Sequence, residues 1–198
     1  MKLLNKHVAI LAADGFEQSE LQGPMEALKQ AGATVSIVSP AGKTIQAMKH
    51  ADKGDVFDVD LPLDTAKPEE FDALMLPGGL MNPDTLRTNE AALQFVRHFA
   101  EAGKPIGAIC HAPWILINAG LVAGRRLTSW EAIAKDVENA GGLWENSEVV
   151  CDKGLVTSRK PADIPAFSKK LIEEIAEGLH PGMAAAATVI TDYDKNSA

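Results

Sequence analysis

The chain has 198 residues, 46% of them hydrophobic and 23% charged. That is the composition of an ordinary globular protein, long enough to bury most of its unfolded surface without disulfide or metal staples, and it excludes a disordered or fibrous polymer. A formal charge of −8 and a pI near 5.1 exclude a general phosphate-backbone binder, which needs a basic face, so nucleic acid is not an expected partner.

Two cysteines, Cys110 and Cys151, make no disulfide framework. The apolar run VAILAA at residues 8–13 is too short to span a bilayer, and Asp14 breaks it without a small-residue cleavage pattern. The expectation is a cytoplasmic protein with no membrane partner. In a reducing cytosol a lone cysteine is catalytic, redox-sensing or simply buried.

In chain order, apolar runs bounded by turn residues alternate with helical patterns, which predicts a mostly parallel sheet with helices on both faces. The first strand is His7 to Ala13. A helix follows from about Ser19, with Leu21, Met25 and Leu28 on one face, and Gly32 ends it. Thr34 to Ser39 reads as the second strand. GKTIQAMKHADKGDVFDVD reads as a hairpin turning through Asp52 to Gly54. A third buried strand ends at Leu76 before a Pro-Gly-Gly turn and a loop around Asn82 to Arg87. The helix from about Asn89 carries Leu93, Val96, Phe99 and Ala100 at helical spacing, and Gly103 with Pro105 stops it. PIGAI is the fourth strand, and Ala112 to Ala119 the next helix. RLTS and EVVCDKGLVTS are shorter strands around a helix near Glu131 to Ala140. The last helix turns Phe167, Leu171, Ile172, Ile175 and Leu179 inward. One domain over residues 1–180 and a tail over 181–198 are expected.

In an open parallel sheet, ligands gather at the carboxyl ends of the strands. Three groups fall there: Asp14 to Glu17, Gly78 with Gly79, and Cys110 with His111. Neighbours on a regular helix or strand do not face one pocket, so Cys110 and His111 can serve together only if the backbone bends at the cysteine. Cys110 is then either a nucleophile on a strained strand-to-helix turn, its thiolate favoured by backbone N–H groups, or a small buried hydrophobe. Glu17 is a carboxylate just before a helix, a position the helix dipole also welcomes for purely structural reasons. Cys151 lies in a valine-rich strand and is expected to have no acid or base beside it, and His7, His50, His98 and His180 show no special setting. Cys110, His111 and Glu17 lack the spacings of a metal site, and none is expected.

The segments ADGFEQSEL, ALMLPGG, AICHAPWILINAG and LVTSRKPADIPAF, in this order between about Lys6 and Leu179, resemble the ThiJ/PfpI superfamily, in its PfpI-like branch of bacterial stress proteins and deglycases. The resemblance implies a flavodoxin-like α/β sandwich of the class I glutamine amidotransferase type, assembled as a homodimer or larger oligomer. It makes Cys110 the nucleophile at the elbow, Glu17 the carboxylate that hydrogen-bonds its sulfur, and His111 the adjacent imidazole; because an ionised Glu17 would repel the thiolate, it is expected to be protonated. The backbone amides of Gly79 and His111 would form the oxyanion hole. Asp84 would orient the histidine of a neighbouring subunit. The activity implied is cofactor-free attack on small aldehydes or glycated protein, converting methylglyoxal to lactate. Intracellular peptidase action and a non-enzymatic redox-sensing or chaperone role are the alternatives.

Overall fold

The computed structural model describes residues 2–183. In chain order its elements are β1 (His7–Leu11), β2 (Phe16–Glu17), α1 (Gln18–Gln30), β3 (Thr34–Ser39), β4 (Thr44–Lys49), β5 (Asp52–Asp58), β6 (Leu61–Pro62), β7 (Ala73–Leu76), α2 (Met81–Leu86), α3 (Glu90–Glu101), β8 (Ile106–Ile109), α4 (Pro113–Asn118), β9 (Arg126–Leu127), α5 (Ala134–Asn139), β10 (Leu143–Trp144), β11 (Val150–Asp152), β12 (Leu155–Ser158) and α6 (Ile164–Glu177). Seven strands form the central sheet in the order β11-β12-β8-β7-β1-β3-β6. All pairings are parallel except that of β11 with β12. β2, β4 and β5 make a separate three-stranded sheet, and β9 with β10 a two-stranded one. None of the described helices is long and apolar enough to cross a membrane.

The period-two geometry of a strand divides the core into two layers. On β1 and β7, Val8, Ile10, Ala73 and Met75 face a layer with Leu21 and Leu28 of α1 and Phe167, Leu171 and Ile175 of α6. Ala9, Leu11, Leu74 and Leu76 face the other layer, with Leu93, Phe95, Val96 and Phe99 of α3 and Ile115 and Leu116 of α4. Strands buried on both faces must be apolar throughout, which is why these segments are continuous hydrophobic runs. On β8, Gly107 leaves room for α6: a Cβ there would lie 2.9 Å from Phe167 and from Leu171. Asn89 caps α3, its side-chain oxygen accepting the Ala92 N–H at 3.1 Å.

Four local expectations are corrected. The hairpin turns at His50 and Ala51, not at Asp52 to Gly54, because His50 takes the left-handed backbone (φ 57°) and closes a two-residue turn; Asp52 to Gly54 belong to β5. The segment after the Pro-Gly-Gly turn is not a loop but α2, with Pro83 in its first turn and Asn82 buried. Asn82 accepts the Ala13 N–H at 2.7 Å and donates to the Pro77 and Gly78 carbonyls at 2.8 and 3.2 Å, tying the ends of β1 and β7 together. Leu179 is exposed, because α6 stops at Glu177 and Gly178 (φ 97°) breaks the helical phase. Cys151 does have an acid beside it: Glu174, brought over from α6, lies near enough to raise its thiol. Of the segment expected as a tail, Met183 is buried and its carbonyl accepts from Arg125 Nη2 at 3.0 Å, while residues 184–198 lie outside the described residues.

Candidate active site

Cys110 follows β8 directly and holds φ at 64°, the left-handed region that a side chain with a Cβ rarely adopts. The bend is pinned on both sides. The Cys110 N–H donates to the Ser158 carbonyl at the end of β12 (2.9 Å), and the Cys110 carbonyl accepts the Trp130 N–H (2.8 Å). Strain of this kind costs about 1–3 kcal/mol and persists only where the surroundings over-determine it. The bend lets cysteine and histidine meet: His111 Nδ1 lies 3.2 Å from Cys110 Sγ.

The carboxyl beside the sulfur belongs to Glu20, not Glu17. Glu17 ends β2 just outside α1, whereas Glu20 occupies the first turn of the helix on the stripe that continues through Pro24 and Leu28, all buried. Helical Cα–Cβ bonds tilt toward the amino terminus, so a residue there reaches back over the strand ends. Glu20 is fully buried. Its Oε2 accepts the Gly78 N–H at 3.1 Å, while Oε1 has no hydrogen-bond partner of full geometry among the described residues. An acceptor oxygen left bare in the interior is costly, and a proton on it directed at the thiol removes that cost.

Two glycines make the approach possible. A Cβ on Gly78 would collide with Glu20 Oε2 and stand 2.6 Å from the Cys110 Cβ. Gly79 has φ 78°, and a Cβ there would lie 2.5 Å from the Gly15 carbonyl oxygen. Its N–H and that of His111 lie near the Cys110 sulfur and favour its thiolate.

The electrostatics follow from burial. Loss of solvation raises Glu20 to about 8; its contact with Cys110 and the Gly78 and Gly79 N–H groups act the other way, and the nearby charge of Glu17 raises it further. Burial also pushes the Cys110 thiol up, as does Glu20 when ionised, whereas the N–H groups of Gly79 and His111 pull it down. Two such groups in contact titrate as a coupled pair: burial disfavours charge on either, and the N–H groups of Gly79 and His111 are what favour the thiolate. Burial pulls His111 down, leaving a neutral imidazole, with Trp114 edge-on at 5.2 Å and Trp130 stacked at 6.1 Å.

Cys110, Glu20 and His111 open into a pocket of about 210 Å³ whose wall also includes Glu17, His50, Gly79, Leu80, Trp130 and Pro161. Glu17 is therefore in the pocket but not at the sulfur: its Oε2 accepts the His50 backbone N–H at 2.9 Å. Asp84 is not in the wall. It is exposed and bound by Arg87 of its own helix end, at 2.7 and 2.9 Å, and Arg87 in turn lies over the Trp114 ring. Glu20, Asn82 and Trp130 were missed by sequence reasoning. The buried helical stripe of α1 could have pointed to Glu20, but nothing local marks the other two, which come from separate elements.

The pattern of the DJ-1/PfpI family matches residues 6–174. Protein/nucleic acid deglycase 2 of Escherichia coli K12 is 42% identical over 171 residues, covering 85% of this chain and 97% of that protein. Deglycase TK1284 of Thermococcus kodakarensis is 43% identical over 166 residues, covering 84% and 97%. Among solved structures, a two-domain protein of Anabaena variabilis with DJ-1/ThiJ/PfpI-like and ferritin-like domains superposes with a TM-score of 0.81 at 34% identity. The match covers 86% of this chain and 48% of that one. The chain belongs to the DJ-1/PfpI family.

Proposed function

We propose that this protein is a cysteine-dependent deglycase that acts on small reactive carbonyls and on their adducts with protein amines, in the cytoplasm and without a cofactor. The observation that carries this reading is the buried contact between Cys110 and a Glu20 whose proton is held to about pH 8. The names of the relatives support the reaction class.

For a carbinolamine formed from methylglyoxal and an amine, the Cys110 thiolate attacks the carbon that bears nitrogen. The carbon–sulfur bond forms, the carbon–nitrogen bond breaks, and its electron pair leaves with nitrogen, which takes the Glu20 proton and departs as the repaired amine. Free methylglyoxal gives the same hemithioacetal by direct addition, the Glu20 proton passing to the new alkoxide. Neutral His111 moves the proton of the sulfur-bearing carbon to the neighbouring carbon, and the hydroxyl proton passes to the neighbouring carbonyl oxygen, giving a lactoyl thioester. Water hydrolyses this to lactate and restores the thiolate and the Glu20 proton. The Gly79 and His111 N–H groups are in position to hold the oxyanion.

Nothing within the chain orients the outer nitrogen of His111 among the described residues, which favours an assembly of two or more copies with Asp84 of a neighbouring copy supplying that contact. Light scattering on the wild type tests it, and a monomer at micromolar concentration removes the shared site. The test of the activity is lactate formation from methylglyoxal, with release of free amine from a methylglyoxal-treated peptide. Wild type should do both and Cys110→Ser neither; equal turnover by the two proteins rules out the cysteine.

A further inference from the structure

The end of the sheet away from Cys110 carries a second group of ionisable side chains. The pairing of Ile106 with Leu155 marks the amino-terminal ends of β8 and β12. Cys110 follows the other end of β8, and α6 spans the distance, starting after Pro161 of the pocket wall and stopping at Glu177. Beyond it, the His180 N–H donates to the Gly103 carbonyl at 2.7 Å and the Met183 N–H to the His180 carbonyl at 2.9 Å. The imidazole lies against Gly154, where a Cβ would stand 2.7 Å from the ring. Backbone and ring together therefore fix His180 in place.

Glu174, Glu177 and His180 follow one another at intervals of three residues, and one ligand atom of each lies within 4.8 Å of the other two. The Glu174 and His180 side chains are 6% and 14% exposed, whereas Glu177 is exposed and leaves the group open to solvent. Lys170 Nζ takes one oxygen of Glu174, Oε1, at 2.7 Å, and the other, Oε2, faces His180 Nε2 at 3.6 Å. That separation is too long for a hydrogen bond, but two ligands of one tetrahedral zinc ion, each about 2.0–2.1 Å from it, lie about 3.3 Å apart. Nε2 also has the Glu174 carbonyl oxygen at 3.1 Å. A proton on Nε2 serves one of these oxygens at a time, whereas a divalent cation draws both carboxylates and the imidazole together. One nitrogen and two carboxylates, with the Cys151 thiol close to Glu174, suit zinc better than magnesium or calcium, which take oxygen ligands. We propose that Glu174, Glu177 and His180 bind a zinc ion that fastens the segment after α6 to the end of that helix. The site stands apart from the chemistry at Cys110 and does not rest on it.

The experiment uses Cys110→Ser protein, so that the pocket thiol cannot hold the ion. Zinc affinity is measured by competition with a chromophoric chelator, and melting temperature with Zn2+ or Mg2+ added. One Zn2+ per chain should bind and raise the melting temperature, and Mg2+ should leave it unchanged. Glu177→Gln, a change on an exposed side chain, and His180→Gln should each weaken zinc binding by about tenfold or more and diminish the rise in melting temperature. Absence of zinc binding overturns the site, and so does zinc held as tightly by Glu177→Gln as by its parent. Equal stabilisation by Mg2+ overturns the assignment to zinc. Glu177→Gln is read on its own, so the test stands even where His180→Gln does not fold.

Discussion

Cys110 and Cys151 each have a glutamate beside the thiol, and burial and that glutamate raise both thiols; the two sites differ in what else holds the carboxyl and in the backbone that carries the cysteine. Glu174, beside Cys151, is held by Lys170 Nζ at 2.7 Å and approached by His180 Nε2 at 3.6 Å. Burial first, and then this neighbour, hold Cys151 up at about 11. Glu20 has no cation beside it, and burial makes it keep its proton. Cys151 sits in an ordinary strand, whereas Cys110 is bent outward at φ 64°. A nearby carboxyl therefore does not by itself activate a cysteine; what sets Cys110 apart is its bent backbone, the adjacent His111 and the N–H groups of Gly79 and His111.

The largest expected effect separates the two thiols directly. Cys110→Ser should reduce lactate formation by about a thousandfold or more, and Cys151→Ser should stay within about twofold of wild type. A comparable loss from both would erase the distinction. Next comes Gly78→Ala, which forces a methyl group between Glu20 and Cys110. It should cost about 1–3 kcal/mol of stability, read by chemical denaturation, and about tenfold or more in activity.

The pH dependence of stability tests the protonated carboxyl. Glu20 has a folded pKa of about 8 against an ordinary value of 4.5, so the folded state binds this proton more tightly than the unfolded chain does. The contribution is complete below about pH 4.5 and is lost as pH rises toward 8. Wild type should therefore lose stability relative to Glu20→Gln across that window, read as diverging melting temperatures. Parallel curves would mean that Glu20 is already ionised. The smallest effect is expected at the other cysteine. In a Cys110→Ser background, Glu174→Gln removes the repelling charge, lowers the Cys151 pKa, and should speed its alkylation at fixed pH by about three- to tenfold. A slower reaction would reverse the sign assigned to Glu174.

Much of this was legible in the sequence wherever the signal is local. The buried strands announce themselves as unbroken apolar runs, and Thr34–Ser39 is bounded as read. The bend at Cys110 follows from placing a thiol and an imidazole between a strand-like and a helix-like segment. Choosing Glu17 over Glu20 was an error of three residues with a plain cause: closeness to the strand end was weighed and the helical stripe through Pro24 and Leu28 was not. Glu174 beside Cys151, Trp130 over His111, and Asn82 between two strand ends depend on contacts between separate elements. His50 reaches the pocket through its backbone N–H, a donor every non-proline residue carries, so no side-chain pattern could mark it.

The most direct test of the thiolate is the infrared spectrum at neutral pH, which reports the S–H stretch of Cys110 and the carbonyl stretch of a protonated Glu20 in one experiment. It should be recorded on Cys151→Ser protein, so that a single thiol remains, with Glu20→Gln as the reference that identifies the carboxyl band. The expected result is a protonated carboxyl band that disappears in Glu20→Gln, with no S–H band from Cys110: a proton on the Glu20 carboxyl and the charge on sulfur. A clear S–H band would contradict it, whether Glu20 is protonated or ionised, leaving Cys110 a buried, unreactive thiol.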